Sequence, residues 1–309
     1  MSGFGEDGED RKVSDIKNIF QDFISFIKHE ENLSPNTVSA YSADVDDFIQ
    51  NIEQQGVTTV QGISHLHIRS YLSTMYGKLD KRSIARKTSS IRAFLKYLNA
   101  QGYISSNVLS RVIHPKTPEK LMFALSVDEM NSFLSAIDAT TNIGKRNLAI
   151  IELLYGAGLR VSELATIKIA DVDLDQRIMK VLGKGRKERL TPFNEEACNT
   201  LRSYLSIRGQ FLNDDKPTDN VFLNKSGGEL GVRSIQRLTK FISVKAGLLR
   251  AATPHTMRHS YATHLLEAGA SIKTVKELLG HASIAATQRY THLTVDKLSE
   301  MYKKAHPKA

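Results

Sequence analysis

The chain has 309 residues, 41% of them hydrophobic and 24% charged, which is the composition of a globular protein of about two domains. No apolar run approaches the ~18 residues of a membrane span, and the single cysteine excludes a disulfide framework and indicates a reducing, cytoplasmic setting. The net charge is +9, of which residues 1–110 contribute −1 and residues 111–309 contribute +10. A basic second half favours a polyanionic partner because neutralised phosphates release counterions.

The first part of the chain is predicted to be a bundle of short helices. Residues 1–12 are acidic and glycine-rich, so we expect a disordered tail there. Within residues 13–111 apolar side chains recur at helical spacing. The pair Ser34-Pro35 is typical of a helix start, and two further helices are expected over about 64–76 and 83–99.

The last of these helices and its lead-in are basic, with no acidic residue from 81 to 98. A basic helix face can contact DNA phosphates, although a solvated face explains the same pattern equally well. The candidate DNA-binding residues are Lys81, Arg82, Arg86, Lys87 and Arg92.

Residues 112–121 contain two prolines and little periodicity, and are predicted to be an exposed linker. Beyond them the pattern is mixed. Ser126 and Glu129 predict a capping box at the start of a helix, and the apolar stretch 147–154 predicts a second helix.

Three short strands are expected after these helices, at 167–169, 177–182 and 189–192. The last two would form a hairpin with its turn at 183–187. The chain is helical again from Ser234 onward. The predicted fold class is therefore mainly α with a small antiparallel sheet.

Two arginines stand in contexts that suit phosphate chemistry. Arg160 follows Gly158 and lies three residues before Glu163, which could hold its guanidinium in place; a surface ion pair is the alternative. His255 and Arg258 are separated by nearly one helical turn and are expected to share a face. A histidine can move a proton and an arginine can clamp oxygens, although a capping histidine and a surface arginine are also common.

Three further residues complete a possible phosphodiester site. Lys184 lies between glycines at the predicted hairpin turn, where a mobile lysine can donate a proton or do nothing. His281 follows Gly280. Tyr290 is a candidate nucleophile, although a phenol with a pKa near ~10 needs a base or strong electrostatic help, and a core tyrosine is the alternative.

Metal and nucleotide motifs fail on inspection. The run Asp171-x-Asp173-x-Asp175 begins like a calcium loop, but Gln176 stands where glycine is needed. The chain has no phosphate-binding loop of the ATPase type, and the histidines at 255 and 259 lack a third ligand. No metal site is predicted.

In combination, these residues resemble the tyrosine recombinases, most closely the Xer branch. The resemblance covers nearly the whole chain from about residue 14, and the tail 1–12 falls outside it. The segments that carry it are Leu33-Ser34-Pro35-Asn36-Thr37 with Tyr41 and Asp44, Gly158-Leu159-Arg160 with Glu163, Gly183-Lys184-Gly185, His255-x-x-Arg258, Leu279-Gly280-His281 and Tyr290-Thr291-His292-Leu293.

The resemblance implies a helical core-binding domain over 13–111 and a mixed α+β catalytic domain over 122–309, forming a C-shaped clamp around duplex DNA. It implies that Tyr290 attacks a phosphate to make a 3′-phosphotyrosyl bond. Arg160, Arg258 and His281 would stabilise the charge on the phosphate. Lys184 and His255 would move the protons. No cofactor is expected, since the covalent bond preserves the phosphodiester energy.

The resemblance also implies four protomers on two duplexes, with residues about 294–309 docking on a neighbouring protomer. The tetramer would contain this chain alone or a second recombinase, and a DNA translocase such as FtsK is a possible activator. Xer-type resolution of chromosome or plasmid dimers is the expected function. A phage or transposon integrase, a type IB topoisomerase and a non-catalytic DNA-binding module are the alternatives.

Overall fold

A computed structural model describes residues 15–31, 33–105, 108, 123–183, 188–213, 215 and 217–280. The chain divides into two compact units, residues 1–120 and 121–309. Within the described ranges it is mostly helical with a three-stranded antiparallel sheet, so the predicted fold class is confirmed. None of the helices in these ranges combines the length and apolar character needed to cross a membrane. The predicted tail 1–12, linker 112–121 and docking segment 294–309 lie outside the described residues.

The described residues of the first unit form helices α1 (Ile16–His29), α2 (Pro35–Glu53), α3 (His65–Met75) and α4 (Lys81–Ala100). Their apolar stripes meet in one core, in which the rings of Phe23 and Phe94 pack edge to face with centroids 5.2 Å apart. Ser34 caps α2 by accepting a hydrogen bond from the Thr37 amide at 3.2 Å, as the sequence predicts.

The second unit contains both helices and the sheet. Its described elements are α5 (Val127–Ser135), α6 (Asn142–Gly156), α7 (Val161–Thr166), β1 (Val172–Asp173), β2 (Ile178–Leu182), β3 (Glu188–Pro192), α8 (Glu195–Leu205), α9 (Val232–Lys245), α10 (Pro254–Glu267) and α11 (Ile272–Leu278). They surround a second core that includes Phe133, Leu154 and Tyr261.

Two predictions for the helices of this unit can be compared with the structure. The capping box is confirmed: the Ser126 amide donates to Glu129 Oε2 at 2.8 Å, and the Glu129 amide donates to Ser126 Oγ at 3.1 Å. The helix predicted over 147–154 is longer. It begins five residues earlier, at Asn142, because Thr141 caps it by accepting a hydrogen bond from the Gly144 amide.

The three strands form an antiparallel sheet in the order β1, β2, β3. In the β2–β3 pair Val181 faces Arg189 and Leu182 faces Glu188, so the predicted hairpin is present, with residues 184–187 of its turn outside the described residues. The strand predicted at 167–169 is wrong. It makes an isolated bridge between Lys168 and Asn220 and then enters a 3₁₀ turn, Ile169–Asp171, which ends any ladder.

Candidate active site

The site begins at the turn that follows α6. Gly158 has φ +58°, a left-handed backbone that glycine adopts without strain. A Cβ atom here would lie 2.5 Å from the ring of Tyr261, which is fully buried in α10. The close packing of backbone on ring therefore requires glycine, and it fixes the start of α7 next to α10.

Arg160 lies at the N-cap position of α7, and its partner is the predicted Glu163. The Arg160 amide donates to Glu163 Oε2 and its Nη1 donates to Glu163 Oε1, both at 2.8 Å. The Glu163 side chain is 2% exposed, whereas that of Arg160 is 31% exposed. Arg160 is thus held at one end by a buried carboxylate and reaches solvent at the other.

A third arginine joins this pair and was missed from the sequence. Arg189, in β3, donates through Nη1 to Glu163 Oε1 at 2.6 Å and through Nη2 to Glu163 Oε2 at 3.0 Å. The available signal was strand alternation. Arg189 shares a face with the buried Thr191, so its side chain is directed inward and needs a carboxylate there.

Arg258 enters the same region from α10 and is buried. Its Nη1 donates to the carbonyl oxygen of Gly158, and its Nη2 donates to that of Leu279 at 2.7 Å. Two carbonyl groups orient the guanidinium but leave its charge unneutralised. Residues 100 positions apart in the chain are joined by the first of these bonds.

The pKa values of Arg258 and Glu163 are both shifted in this cluster. Burial, together with the positive charge of Arg160, lowers the pKa of Arg258 to about 10. Burial opposes ionisation of Glu163, but hydrogen bonds and the charge of Arg189, assisted by Arg160, outweigh it and lower the pKa of this carboxyl. Among the described residues, one carboxylate therefore faces three guanidiniums, and their net charge is positive and suited to an anion.

The remaining predicted residues are only partly described. His255 is exposed at the second position of α10, whereas Arg258, three residues later on the same helix, is buried. None of the hydrogen bonds among the described residues joins His255 to Arg160 or Arg258. Lys184, His281 and Tyr290 lie outside the described residues.

The acidic run at 171–175 does not form a metal site. Asp173 Oδ1 instead accepts hydrogen bonds from the amides of Asp175 and Gln176, at 3.0 and 2.8 Å. Across the described ranges, no group of three or more histidine, cysteine, aspartate or glutamate residues is arranged to hold a metal ion.

The predicted DNA-binding helix, α4, contains two kinds of cation. Lys81, Arg82 and Arg92 are exposed. Arg86 makes an ion pair with the buried Asp44, and Lys87 Nζ lies 2.6 Å from Asp47 Oδ2, with its side chain only 15% exposed. The structure thus engages Arg86 and Lys87 in contacts within the unit.

The Asp44 and Asp47 contacts link α4 to its neighbours. Ser90 donates to Asp44 Oδ2 at 2.8 Å, and the Tyr71 hydroxyl of α3 donates to Asp47 Oδ2 at 2.6 Å. Burial and the hydrogen bond to Asp47 raise the pKa of Tyr71. Two carboxylates here face two cations, so this cluster is balanced.

Comparison with known sequences identifies the family. Residues 124–297 match the phage integrase family, and residues 20–102 match the N-terminal SAM-like domain of phage integrases. The tyrosine recombinase XerC of Myxococcus xanthus is 39% identical over 300 residues, which are 96% of this chain and 100% of that protein. The chain belongs to the tyrosine recombinase family.

Further relatives place this recombinase in the Xer branch. The tyrosine recombinase XerD of Listeria monocytogenes is 37% identical over 298 residues, covering 95% of the chain and 100% of that protein. The resemblance stated from the motifs is thereby confirmed. The chain is a site-specific, DNA-cleaving and rejoining enzyme of Xer type.

A solved structure agrees on the fold of the recombinase. The XerH site-specific recombinase, bound to a palindromic difH substrate in a post-cleavage complex, has a TM-score of 0.67 and 22% identity. The match covers 91% of this chain and 83% of that one. At this identity the likeness establishes the fold.

Proposed function

We propose that this recombinase exchanges strands between two copies of a DNA site by way of a 3′-phosphotyrosyl intermediate, and that it resolves chromosome or plasmid dimers. The observation that carries the proposal is the excess positive charge around Arg160 and Arg258. A scissile phosphate gains charge on its nonbridging oxygens as it is attacked, and preorganised guanidiniums stabilise that charge. The XerH complex with DNA supports duplex DNA as the substrate.

Each candidate catalytic residue has a separate role in the proposed reaction. Tyr290 attacks the phosphorus atom, which releases a 5′-hydroxyl and stores the bond energy in the phosphotyrosine. Arg160 and Arg258 bind the nonbridging oxygens, and His281 adds a hydrogen bond. No external energy source is needed, because each bond broken is replaced by one of the same kind.

Two protons must move for this step to balance. His255 accepts the proton of the Tyr290 hydroxyl, and Lys184 donates one to the leaving 5′ oxygen. The exposure of His255 supports its role in contacting DNA-bound reactants rather than the core. The reverse reaction uses the same groups with their protonation exchanged.

A nicked suicide substrate tests the chemistry. The nick lets a short product diffuse away and traps the covalent complex, which migrates as a shifted band on a denaturing gel. We expect Tyr290→Phe to abolish covalent capture while DNA binding in a mobility-shift assay is retained. Capture by Tyr290→Phe at the wild-type level would refute the nucleophile.

The quaternary arrangement forms a second part of the proposal. Four protomers, of this chain alone or with a second recombinase, act on two duplexes in the cytoplasm, and residues about 294–309 dock on the next protomer in a closed ring. A DNA translocase such as FtsK would activate the assembly and couple it to chromosome partition during cell division. Deleting 294–309 should spare DNA binding and impair synapsis, and unchanged recombination would count against the ring.

The domain organisation is proposed on the same grounds. We assign residues 13–111 to core binding, 112–121 to a linker and 122–309 to catalysis, with 1–12 as a tail. The units 1–120 and 121–309 and the family matches at 20–102 and 124–297 support these boundaries. Apart from cuts in the tail 1–12, limited proteolysis should cut first within 112–121, and a first cut inside 13–111 or 122–309 would contradict these boundaries.

Two other reactions use related chemistry and need a separate test. A phage or transposon integrase would join two different sites, and a type IB topoisomerase would relax supercoils without pairing sites. A supercoiled plasmid with two directly repeated sites separates the three outcomes: dimer resolution gives two circles, integration requires a second partner site, and relaxation changes only the linking number.

A further inference from the structure

Arg189 is a largely buried arginine next to the predicted catalytic arginines, and it has no part in the proposed chemistry. Its side chain is 10% exposed, and both terminal nitrogens are engaged by Glu163, at 2.6 and 3.0 Å. Each terminal nitrogen donates one of its two N–H groups to Glu163, and the side chain is largely withdrawn from solvent. Its main contact is therefore the carboxylate, through which it can act on another residue.

That other residue is Arg160, which shares the carboxylate. Glu163 Oε1 accepts from Nη1 of both arginines, and Oε2 accepts from Arg189 Nη2 and from the Arg160 amide. In the described part of the chain, Arg160 reaches Glu163 through Nη1 and its amide, whereas Arg189 makes a two-pronged contact. The two hydrogen bonds from Arg189 fix the plane of the Glu163 carboxylate, and this carboxylate in turn fixes the orientation of the Arg160 guanidinium.

The location of Arg189 also connects two parts of the second unit. It pairs with Val181 across the β2–β3 ladder, so the sheet sets its position. Its side chain lies directly under Gly280, where a Cβ atom would be 2.4 Å from Arg189 Cδ and 2.5 Å from its Nε. Gly280 follows Leu279, whose carbonyl accepts from Arg258. The segment Leu279–Gly280 is thereby packed on one arginine and hydrogen-bonded to another.

We infer that Arg189 is a positioning residue for DNA cleavage: it orients the Arg160 guanidinium through their shared carboxylate, Glu163. The inference rests on the proposed function, in which Arg160 binds the scissile phosphate. Without Arg189 the carboxylate can rotate and carry Arg160 with it. A displacement of about 1 Å at a group that contacts the reacting atoms can cost about 10²-fold in rate.

The test separates cleavage from binding. The substrate is a nicked duplex that bears the site recovered from genomic DNA by covalent trapping of the wild-type chain. At saturating enzyme we expect Arg189→Met to cleave about 10²-fold more slowly, with its dissociation constant for the intact duplex changed by less than about threefold, since no phosphate contact is lost. Arg202→Met is the matched control, because Arg202 lies at the surface of α8, 3.8 Å from the exposed Asp175, and should cleave at the wild-type rate.

A double-mutant cycle shows whether Arg189 acts through Glu163. The effect of Arg189→Met should shrink to within about threefold when it is introduced into the Glu163→Gln background, because coupled residues are not additive. An equal loss in both backgrounds would mean that Arg189 acts by another route, and the inference would fail.

The variant Arg189→Lys tests whether the two parallel hydrogen bonds to Glu163 are needed. Lysine restores the charge but not the two parallel hydrogen bonds, so we expect cleavage to remain at least about tenfold slower than wild type. Full recovery by lysine would assign the effect to charge alone and overturn positioning. So would unfolding of both variants in thermal melts, which would make Arg189 a residue of the fold.

The controls distinguish the two proposals. If the wild-type chain captures no DNA, the proposed function fails. If the wild type and Arg189→Met capture DNA equally fast, the proposed function stands and the positioning role of Arg189 is wrong.

Discussion

The two units each contain a cluster of buried or half-buried charges, and the clusters differ in their balance. In the first unit Asp44 and Asp47 face Arg86 and Lys87, two charges against two. Among the described residues of the second unit, Glu163 is the carboxylate that faces Arg160, Arg189 and the nearby Arg258. The balanced cluster joins helices, whereas the unbalanced one has an excess of positive charge that suits an anionic ligand.

Charge balance distinguishes a structural ion cluster from a phosphate-binding site more clearly than the types of residue do. Both clusters contain arginine and carboxylate, and both are held by hydrogen bonds across distant parts of the chain. Excess charge costs stability in the absence of the ligand and is compensated when the ligand binds. The comparison therefore predicts that changes in the second cluster alter chemistry and anion binding, and that changes in the first alter stability.

The largest expected effect comes from the second cluster. Arg258→Met should slow cleavage of the suicide substrate by about 10³-fold, because a preorganised donor to the developing charge is lost. Single-turnover rates at saturating enzyme measure this loss. Duplex affinity serves as the control, and a rate within tenfold of wild type would show that Arg258 only supports the backbone at Gly158 and Leu279.

Removal of the single carboxylate should destabilise the second unit. Glu163→Gln removes the carboxylate that binds both Arg160 and Arg189, and we expect a loss of about 3 kcal/mol in the free energy of unfolding. Urea titration at pH 7 measures it. Arg202→Met, at an exposed pair, should change this free energy by less than about 1 kcal/mol.

The loss of unfolding free energy in Glu163→Gln should depend on pH. Because the pKa of Glu163 is lowered in the folded state, its stabilisation is present above the ordinary pKa of 4.5 and disappears as the pH falls through the folded value. The gap in stability between wild type and Glu163→Gln should therefore narrow on acidification below pH 4.5. A gap that stays constant down to acid unfolding would contradict a lowered pKa.

An anion should stabilise the wild-type chain specifically. Orthovanadate at about 100 times its dissociation constant should add about 2.7 kcal/mol, which corresponds to several degrees in Tm. Arg160→Ala should lose most of this shift in differential scanning calorimetry. An equal rise in both proteins would place the anion elsewhere.

The smallest expected effect concerns duplex binding by two lysines of the first unit, the exposed Lys81 and the ion-paired Lys87. Lys81→Met removes an exposed cation and should reduce the slope of log K against log salt for duplex binding by about 1. Lys87→Met removes a cation already bound to Asp47, so the slope should stay unchanged while the free energy of unfolding falls by about 1 kcal/mol. A lower slope for Lys87→Met would show that Lys87 contacts a DNA phosphate.

The helices, and the starting points of α2 and α5, were predictable because the information is local. The caps at Ser34 and Ser126 involve residues three positions apart, and the apolar spacing of α4 defines its buried face without reference to other elements. The strand predicted at 167–169 was wrong for the opposite reason. Its partner, Asn220, lies far along the chain, and the 3₁₀ turn that ends the pairing has no strong local signal.

The candidate site was predictable in its residue types and only partly in its arrangement. Glu163 could be assigned to Arg160 because both lie on one helical turn. Arg189 could not, because its contact with Glu163 depends on the register of β3 against β2 and on the packing of α7 beside the sheet. His255 and Arg258 share a helix, yet one is exposed and the other buried, a difference set by how α10 packs on Gly158.

By itself, the sequence determined the helices, the hairpin, the order of the chemical groups and, through their combination, the family, because these depend on short-range spacing and on residue identity. The tertiary structure decided which cations are neutralised and which remain available. Charge balance is a property of distances between segments that are remote in the chain, and only packing brings Arg189 to the carboxylate that holds Arg160 and Arg258 to the backbone at Gly158.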